Sequence, residues 1–392
     1  MKSRVGNIEC LRFLFAVCIV LHHAMIGRFP MWGGFLSVEF FYILSGAFMG
    51  KSIRKKEESA NTYSMREACI ESSQYCWRRI KGIMPYFFVS TIIGTFILGV
   101  TYDWRFNLEN IFECGQCFRW ERISDTNYVI IAYRRVIEVI QNGSTVTIIN
   151  TNMKDFNEIW KNYFDLNVDY EKIKEELSKD ELLRKSVEFG YGIRILNQDP
   201  FEMLISFIIS ARNSIPSIMK TIKKISEKWG DKIEYNGNVY YAFPTPEQLK
   251  EATLDEIKET GASFRSKYIV DTIAKVNAAN EAKRNGTLND ELQQFDLEYI
   301  KSLPVDECHK ALQNFMGVGA KVADCIMLFS MSKHSAFPVD VWIKRAMIHF
   351  YLAPDVSLNK IRVFGREKFG ELAGLAQQYL FYYARENNIK VE

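Results

Sequence analysis

The chain has almost no net charge: 50 lysines and arginines stand against 47 aspartates and glutamates, a formal +3 over 392 residues. That balance excludes a uniformly basic nucleic-acid binder, so any basic footprint is local. The eight cysteines are scattered at Cys10, Cys18, Cys69, Cys76, Cys114, Cys117, Cys308 and Cys325, which excludes the framework of a small disulfide-stapled fold and suits a reducing interior. Cys114-x-x-Cys117 has the spacing of half a zinc site, but no second Cys-x-x-Cys and no close histidine pair follows it, so no metal is expected. Internal repeats and low-complexity tracts are missing too. At 392 residues the chain exceeds a typical single domain, and two or more units are expected.

From residue 104 to about 150 the residues alternate and are rich in Val, Ile, Tyr and Thr, with Asn142-Gly143 as a hairpin signal. This portion reads as an antiparallel sheet. From about 153 onward the pattern is helical, with helices expected over 169–179, 200–211, 215–229, 246–251, 254–260, 264–279, 304–314, 320–329, 341–350 and 361–387, the last broken at Gly370 or Gly374. The expected fold class is α+β, a small antiparallel sheet over 103–152 followed by a helical bundle over 153–392.

The stretch Phe315-Met316-Gly317-Val318-Gly319-Ala320-Lys321-Val322-Ala323-Asp324-Cys325 is followed, nineteen positions after its lysine, by the aspartate of Phe337-Pro338-Val339-Asp340-Val341-Trp342. A Gly-x-Gly turn between two helices offers unpaired backbone N–H groups that suit a phosphate, and Lys321 falls in the first turn of the second helix. The positive end of that helix and burial both disfavour the ammonium, so a neutral, nucleophilic amine able to form a Schiff base is expected. Asp340, after Pro338, is placed to cap the next helix and to supply a carboxylate. Asp324 is a second carboxylate on the lysine's own helix, better suited to supporting its first turn.

These residues resemble the helix-hairpin-helix DNA glycosylase superfamily, and two further blocks are similar to its 8-oxoguanine branch. They are Glu113-Cys114-Gly115-Gln116-Cys117-Phe118-Arg119-Trp120 and Ala373-Gly374-Leu375-Ala376-Gln377-Gln378-Tyr379-Leu380-Phe381. The resemblance covers roughly 103–392 and implies an enzyme that flips a damaged base out of duplex DNA, excises it and cleaves the abasic site, without a cofactor. It implies Lys321 as the nucleophile at C1′ and Asp340 as the carboxylate that steadies positive charge on the sugar. Gly115 would accept the N7–H that distinguishes 8-oxoguanine from guanine, Gln377 would read the Watson–Crick edge, and Phe381 with Cys325 would sandwich the base, Phe329 completing the wall. Gly317 and Gly319 would hold a phosphate, while Phe264 and Arg265 match a wedge and an arginine that contacts the opposite strand. Arg212 and Asn213 fall in the loop that fills the vacated space, and Arg212 and Ser217 depart from the animal pattern there, as does Trp342 beside the flipped nucleotide. Some members of the superfamily hold an iron–sulfur cluster on four cysteines after the aspartate; no cysteine follows Cys325 here.

Residues 1–100 are of a different kind. Apolar runs at 8–25, 35–50 and 83–100 read as membrane segments rather than a cleaved signal, with basic clusters at Lys2 and Arg4, at Lys51 to Lys56 and at Arg78 to Lys81. Leu11-Arg12-Phe13-Leu14-Phe15-Ala16, His22-His23 and the run from Gly34 to Gly46 resemble the start of the acyltransferase-3 family of membrane O-acyltransferases, a pattern that stops near residue 100. Three spans would carry residue 101 outside, where a DNA-repair domain has no substrate, so either one segment does not span or, the favoured reading, two unrelated pieces are fused near 100–104, with the repair domain as a cytoplasmic monomer. Two other readings stand beside the glycosylase: a fragment of a membrane O-acyltransferase, and a helix-hairpin-helix module that binds DNA without catalysis.

Overall fold

The computed structural model describes residues 106–352 and 355–389. The membrane and acyltransferase readings of 1–100 lie outside the described residues. Among the described residues no helix is long and apolar enough to cross a membrane.

A short helix α1 (Leu108–Phe112), capped by the Asn107 side chain on the Asn110 N–H, leads into a sheet with strands in chain order: β1 (Trp120–Ser124), β2 (Asn127–Ala132), β3 (Arg135–Asn142) and β4 (Thr145–Ile149). In β2, Tyr128 through Ala132 are all buried, while β1 is exposed beyond Trp120. The β2–β3 turn is two residues long, with Ala132 opposite Arg135, and both Tyr133 and Arg134 take positive φ, 48° and 61°. Such a turn normally uses Asn or Gly, because a Cβ disfavours the left-handed region. Here distant partners hold it: the Tyr133 hydroxyl donates to the Asn197 carbonyl at 2.8 Å, and Arg134 binds Gln248 and Asp231. A second hairpin, β5 (Lys232–Tyr235) and β6 (Asn238–Tyr241), turns on Asn236-Gly237, also with positive φ at both positions. Its Tyr240 packs with Val129, Ile131 and Val136 of the sheet.

The helical part contains α2 (Tyr170–Leu177), α3 (Glu181–Phe189), α4 (Pro200–Ser210), α5 (Ile215–Trp229), α6 (Ser266–Arg284), α7 (Val305–Leu312), α8 (Ala320–Ser330), α9 (Val341–Phe350), α10 (Leu358–Phe369) and α11 (Ala373–Glu386). Its centre is α4, started by Pro200 and by Asp199 capping the Glu202 N–H, with Phe201 through Ile209 all buried. A helix apolar on every side belongs inside. It packs on α8, where Val322 through Ser330 are buried, and Phe207 stacks on Phe329 at 5.7 Å. Truncating fully buried Ile208 to Ala is worth about 2–5 kcal/mol of lost stability.

The structure departs from the expected helices at several places: residues 246–251 form turns, and α3 and the short helices Asp290–Gln293 and Leu297–Ser302 were not anticipated. The long C-terminal helix is parted at Gly370 (φ 53°), one of the two breaks expected. α11 lies against both α3 and α9, which brings its inner face toward the end of α8 that carries Lys321.

Candidate active site

α7 and α8 form a hairpin around Gly317 and Gly319. Gly317 has φ 85°, and a Cβ there would meet the Tyr268 ring at 2.6 Å, so the turn needs glycine twice over. Gly319 begins α8 in extended conformation with open space around it. The hairpin, with Gln313, Asn314 and Lys275, lines a shallow basin on the surface. Lys275 donates to the Asn314 carbonyl at 3.3 Å, so one cation stands beside the N–H groups expected to hold a phosphate.

On the inner side lies a cavity of about 470 Å³, within the range of ordinary ligand sites. Lys321 and Cys325 of α8, Asp340 at the start of α9, Gly115, and Gln377 with Phe381 of α11 all line it, as do Phe329, Arg212, Asn213 and Trp342. Five separated segments of the chain therefore converge on it. Asp340 caps α9, its Oδ1 accepting from the Ile343 N–H at 2.8 Å. Burial pushes its carboxyl above the ordinary value, while that N–H and Lys321 draw it back.

For Lys321 the expected neutral amine is corrected. Burial does work against its charge, but Cys325 and Asp340 outweigh burial and hold the amine above the ordinary lysine value. Burial pushes the Cys325 thiol itself up to about 11.

The Gly115 turn is built from below. Gln116 is fully buried and donates from Nε2 to the Ile111 and Arg194 carbonyls, both at 2.8 Å, while its Oε1 accepts from the Leu196 N–H. Gln378 Nε2 holds the Cys114 carbonyl at 2.8 Å. Gly115 itself has φ 82°, and a Cβ would press on Phe381 at 3.2 Å. Cys114 and Cys117 are buried free thiols within this turn, donating to the Ile111 and Phe112 carbonyls at 3.3 and 3.6 Å.

Two family models cover the chain in sequence: the 8-oxoguanine DNA glycosylase N-terminal domain over 100–204 and the HhH-GPD superfamily of base excision DNA repair proteins over 205–368. The 8-oxoguanine glycosylase/lyase of Clostridium acetobutylicum, solved with duplex DNA containing cytosine opposite 8-oxoguanine, is 59% identical, with a TM-score of 0.67 over 73% of this chain and 93% of that one. The chain belongs to the 8-oxoguanine DNA glycosylase family. MBOgg1, solved with a low-affinity DNA ligand, is 44% identical with a TM-score of 0.67 over 74% of this chain and 95% of its own. A probable N-glycosylase/DNA lyase of Methanothermobacter thermautotrophicus is 32% identical over 231 residues, 58% of this chain and 74% of that protein.

Within the glycosylase, most residues expected at the site meet at the cavity, and a few stand elsewhere. Phe264 is 52% exposed, as a wedge must be. Arg265, expected on the opposite strand, is 5% exposed and turned inward: its Nε donates to the Ala211 carbonyl at 2.8 Å and its Nη2 to the Arg212 carbonyl at 3.1 Å. It clamps the loop that carries Arg212, which is exposed with φ 53°. Asn213 is engaged locally, donating to the Ile209 carbonyl and accepting from the Ser214 N–H. Asp324 is fully buried and binds Arg362 of α10 rather than lending charge to the first turn alone. Gln116, Gln378 and Arg385 were not singled out from sequence; adjacency to the glycine and glutamine motifs was the available signal.

Proposed function

We infer that this chain excises 8-oxoguanine from duplex DNA and cleaves the strand at the abasic site it creates. The observation that carries the reading is the convergence of Lys321, Asp340, Gly115, Gln377 and Phe381 on one cavity. Duplex DNA is the partner and a monomer acting without a cofactor is sufficient. The division into 103–152 and 153–392 belongs to the same proposal.

In this reading the damaged nucleotide leaves the stack, Phe264 filling the kinked step and the Arg212 loop entering the gap. Gly115 accepts N7–H, and Gln377, 4% exposed with an Oε1 that lacks a partner among the described residues, pairs with the Watson–Crick edge. Phe381 and Cys325 hold the two faces. Lys321 loses its proton and attacks C1′; the C1′–N9 bond breaks, its electron pair leaves with the base, and the base takes up a proton. Asp340 steadies the positive charge that develops on the sugar. The sugar ring then opens: the C1′–O4′ bond breaks, O4′ takes up a proton, and C1′ is left as a protonated imine of Lys321. That imine acidifies C2′–H, and loss of that proton expels the 3′ phosphate by β-elimination.

A hairpin module that only binds DNA needs no base-sized cavity beside Lys321, and an O-acyltransferase gains no support from matches that begin at residue 100. Borohydride reduction in the presence of 8-oxoguanine duplex tests the reading. A covalent adduct forms with the natural protein and disappears in Lys321→Gln; no adduct, or equal trapping on undamaged DNA, refutes it.

A further inference from the structure

One donor at the cavity wall has no place in that base-reading set. Arg385, on the last turn of α11, lines the same cavity as Gly115, Gln377 and Phe381. Its Nη2 donates to the Glu113 carbonyl at 2.6 Å and its Nε to Glu386 at 2.8 Å. The guanidinium carbon lies 5.4 Å from the centroid of the Phe381 ring. Nη1 is buried without a hydrogen-bond partner among the described residues, and a Cβ on Gly115 would stand 3.3 Å from it. Leaving a cationic N–H buried and unpaired is unfavourable, so a ligand that satisfies it gains.

The flipped base supplies such a group. In 8-oxoguanine N7–H lies between two carbonyl oxygens, O6 and O8, and that edge runs acceptor, donor, acceptor. The Gly115 carbonyl meets the donor in the reading above. We propose that Arg385 is a specificity-determining residue, its Nη1 donating to a carbonyl oxygen that flanks N7–H while its Nη2 bond to Glu113 orients the Gly115 turn. The inference rests on the 8-oxoguanine reading and adds to it a second, cationic contact on the same edge. An intact guanine keeps O6 but turns an N7 lone pair toward the Gly115 carbonyl, so the arginine alone does not admit it.

The test compares the natural protein with Arg385→Met and Arg385→Lys. Single-turnover excision is measured on duplexes holding 8-oxoguanine or 8-oxoadenine, and strand cleavage on a preformed abasic site. Arg385→Met lowers 8-oxoguanine excision about 10- to 100-fold, as loss of a charge-assisted hydrogen bond does, and Arg385→Lys recovers part of it. Cleavage at the abasic site, where there is no base to read, falls at least about tenfold less. On 8-oxoadenine, which keeps O8 but carries an amino group at C6, a loss assigns the contact to O8, and no change or a gain assigns it to O6. Equal losses on 8-oxoguanine and abasic DNA reduce Arg385 to a prop of the Gly115 turn and overturn the proposal; undiminished 8-oxoguanine excision by Arg385→Met does the same. Should the natural protein fail to excise 8-oxoguanine, the parent reading falls instead.

Discussion

Asp324, one turn after Lys321 on α8, accepts two hydrogen bonds from Arg362 of α10, at 2.6 and 2.8 Å. The pair is almost fully out of water, with Asp324 at 1% and Arg362 at 12% side-chain exposure. It ties the helix of Lys321 to a helix more than thirty residues away in sequence. Removing one partner strands a buried charge. Arg362→Ala is expected to cost about 3–5 kcal/mol, read as a lower urea midpoint, whereas Arg362→Ala with Asp324→Asn recovers much of that loss. Equal loss in the single and double variants would mean that the pair is not coupled.

Asp340→Asn keeps a capping side chain on α9 while removing the charge. Excision of 8-oxoguanine is expected to fall about 100- to 1000-fold, with affinity for the damaged duplex little altered. Stability changes little, because asparagine caps as well as aspartate. A variant that loses binding and rate in step would place Asp340 in the architecture rather than the chemistry.

The same carboxyl sets an acid limit. Burial holds it above the ordinary aspartate value, and in the proposed mechanism the anion is the form that steadies the sugar, so excision is expected to decline as pH falls through that raised value. The limb therefore lies above about 4, where a solvated aspartate titrates. Lys321, held above the ordinary lysine value, remains protonated through neutrality, and rates rise with pH on the alkaline side. Single-turnover rates across about pH 5 to 9 expose both limbs; a flat profile counts against this assignment.

Glu202, buried beneath the sheet, lies 3.6 Å from Arg119. Burial outweighs the arginine and pushes the carboxyl up to about 7. The folded protein thus holds a proton that the unfolded chain releases near 4.3. This contribution is complete below the unfolded value and is lost as pH rises toward 7, a decline on the order of 3 kcal/mol. Glu202→Gln flattens the stability curve over that window, and denaturation at both ends of it provides the check. An unchanged slope would show that the arginine keeps the carboxylate ionised throughout.

Gly115→Ala forces a Cβ into positive φ and against Phe381 and Arg385. The local strain is about 1–2 kcal/mol, small beside the effect expected on a turn proposed to read the base. Excision of 8-oxoguanine is expected to fall more steeply than cleavage of abasic DNA; matched losses would assign Gly115 to folding alone.

Much of the site was legible because its chemistry resides in short contiguous motifs. Gly317, Gly319 and Lys321 are close neighbours in the chain, and a hairpin followed by a helix start is a local event. The α4 helix was legible for a similar reason: an apolar run behind Asp-Pro announces both its start and its burial. Residues 246–251 were misread because a proline start with acidic followers resembles a helix start, yet Thr245 and Gln248 close the segment into turns through mutual hydrogen bonds. The break at Gly370 was recognised as one of two candidates, since either glycine could end a helix and only packing distinguishes them.

The sequence by itself determined the α+β order, the hairpin, and the pairing of a lysine with an aspartate nineteen residues on, because each depends on local backbone preference or motif spacing. Tertiary structure decided the rest. It placed Asp340 and Cys325 against Lys321 so that the amine is held above the ordinary lysine value, turned Arg265 inward onto the Ala211 carbonyl, and left Arg385 with a donor beside Gly115 that has no partner among the described residues. A charge state or a hydrogen-bond partner depends on which distant groups share a buried space, and that follows from packing across segments rather than from any one of them.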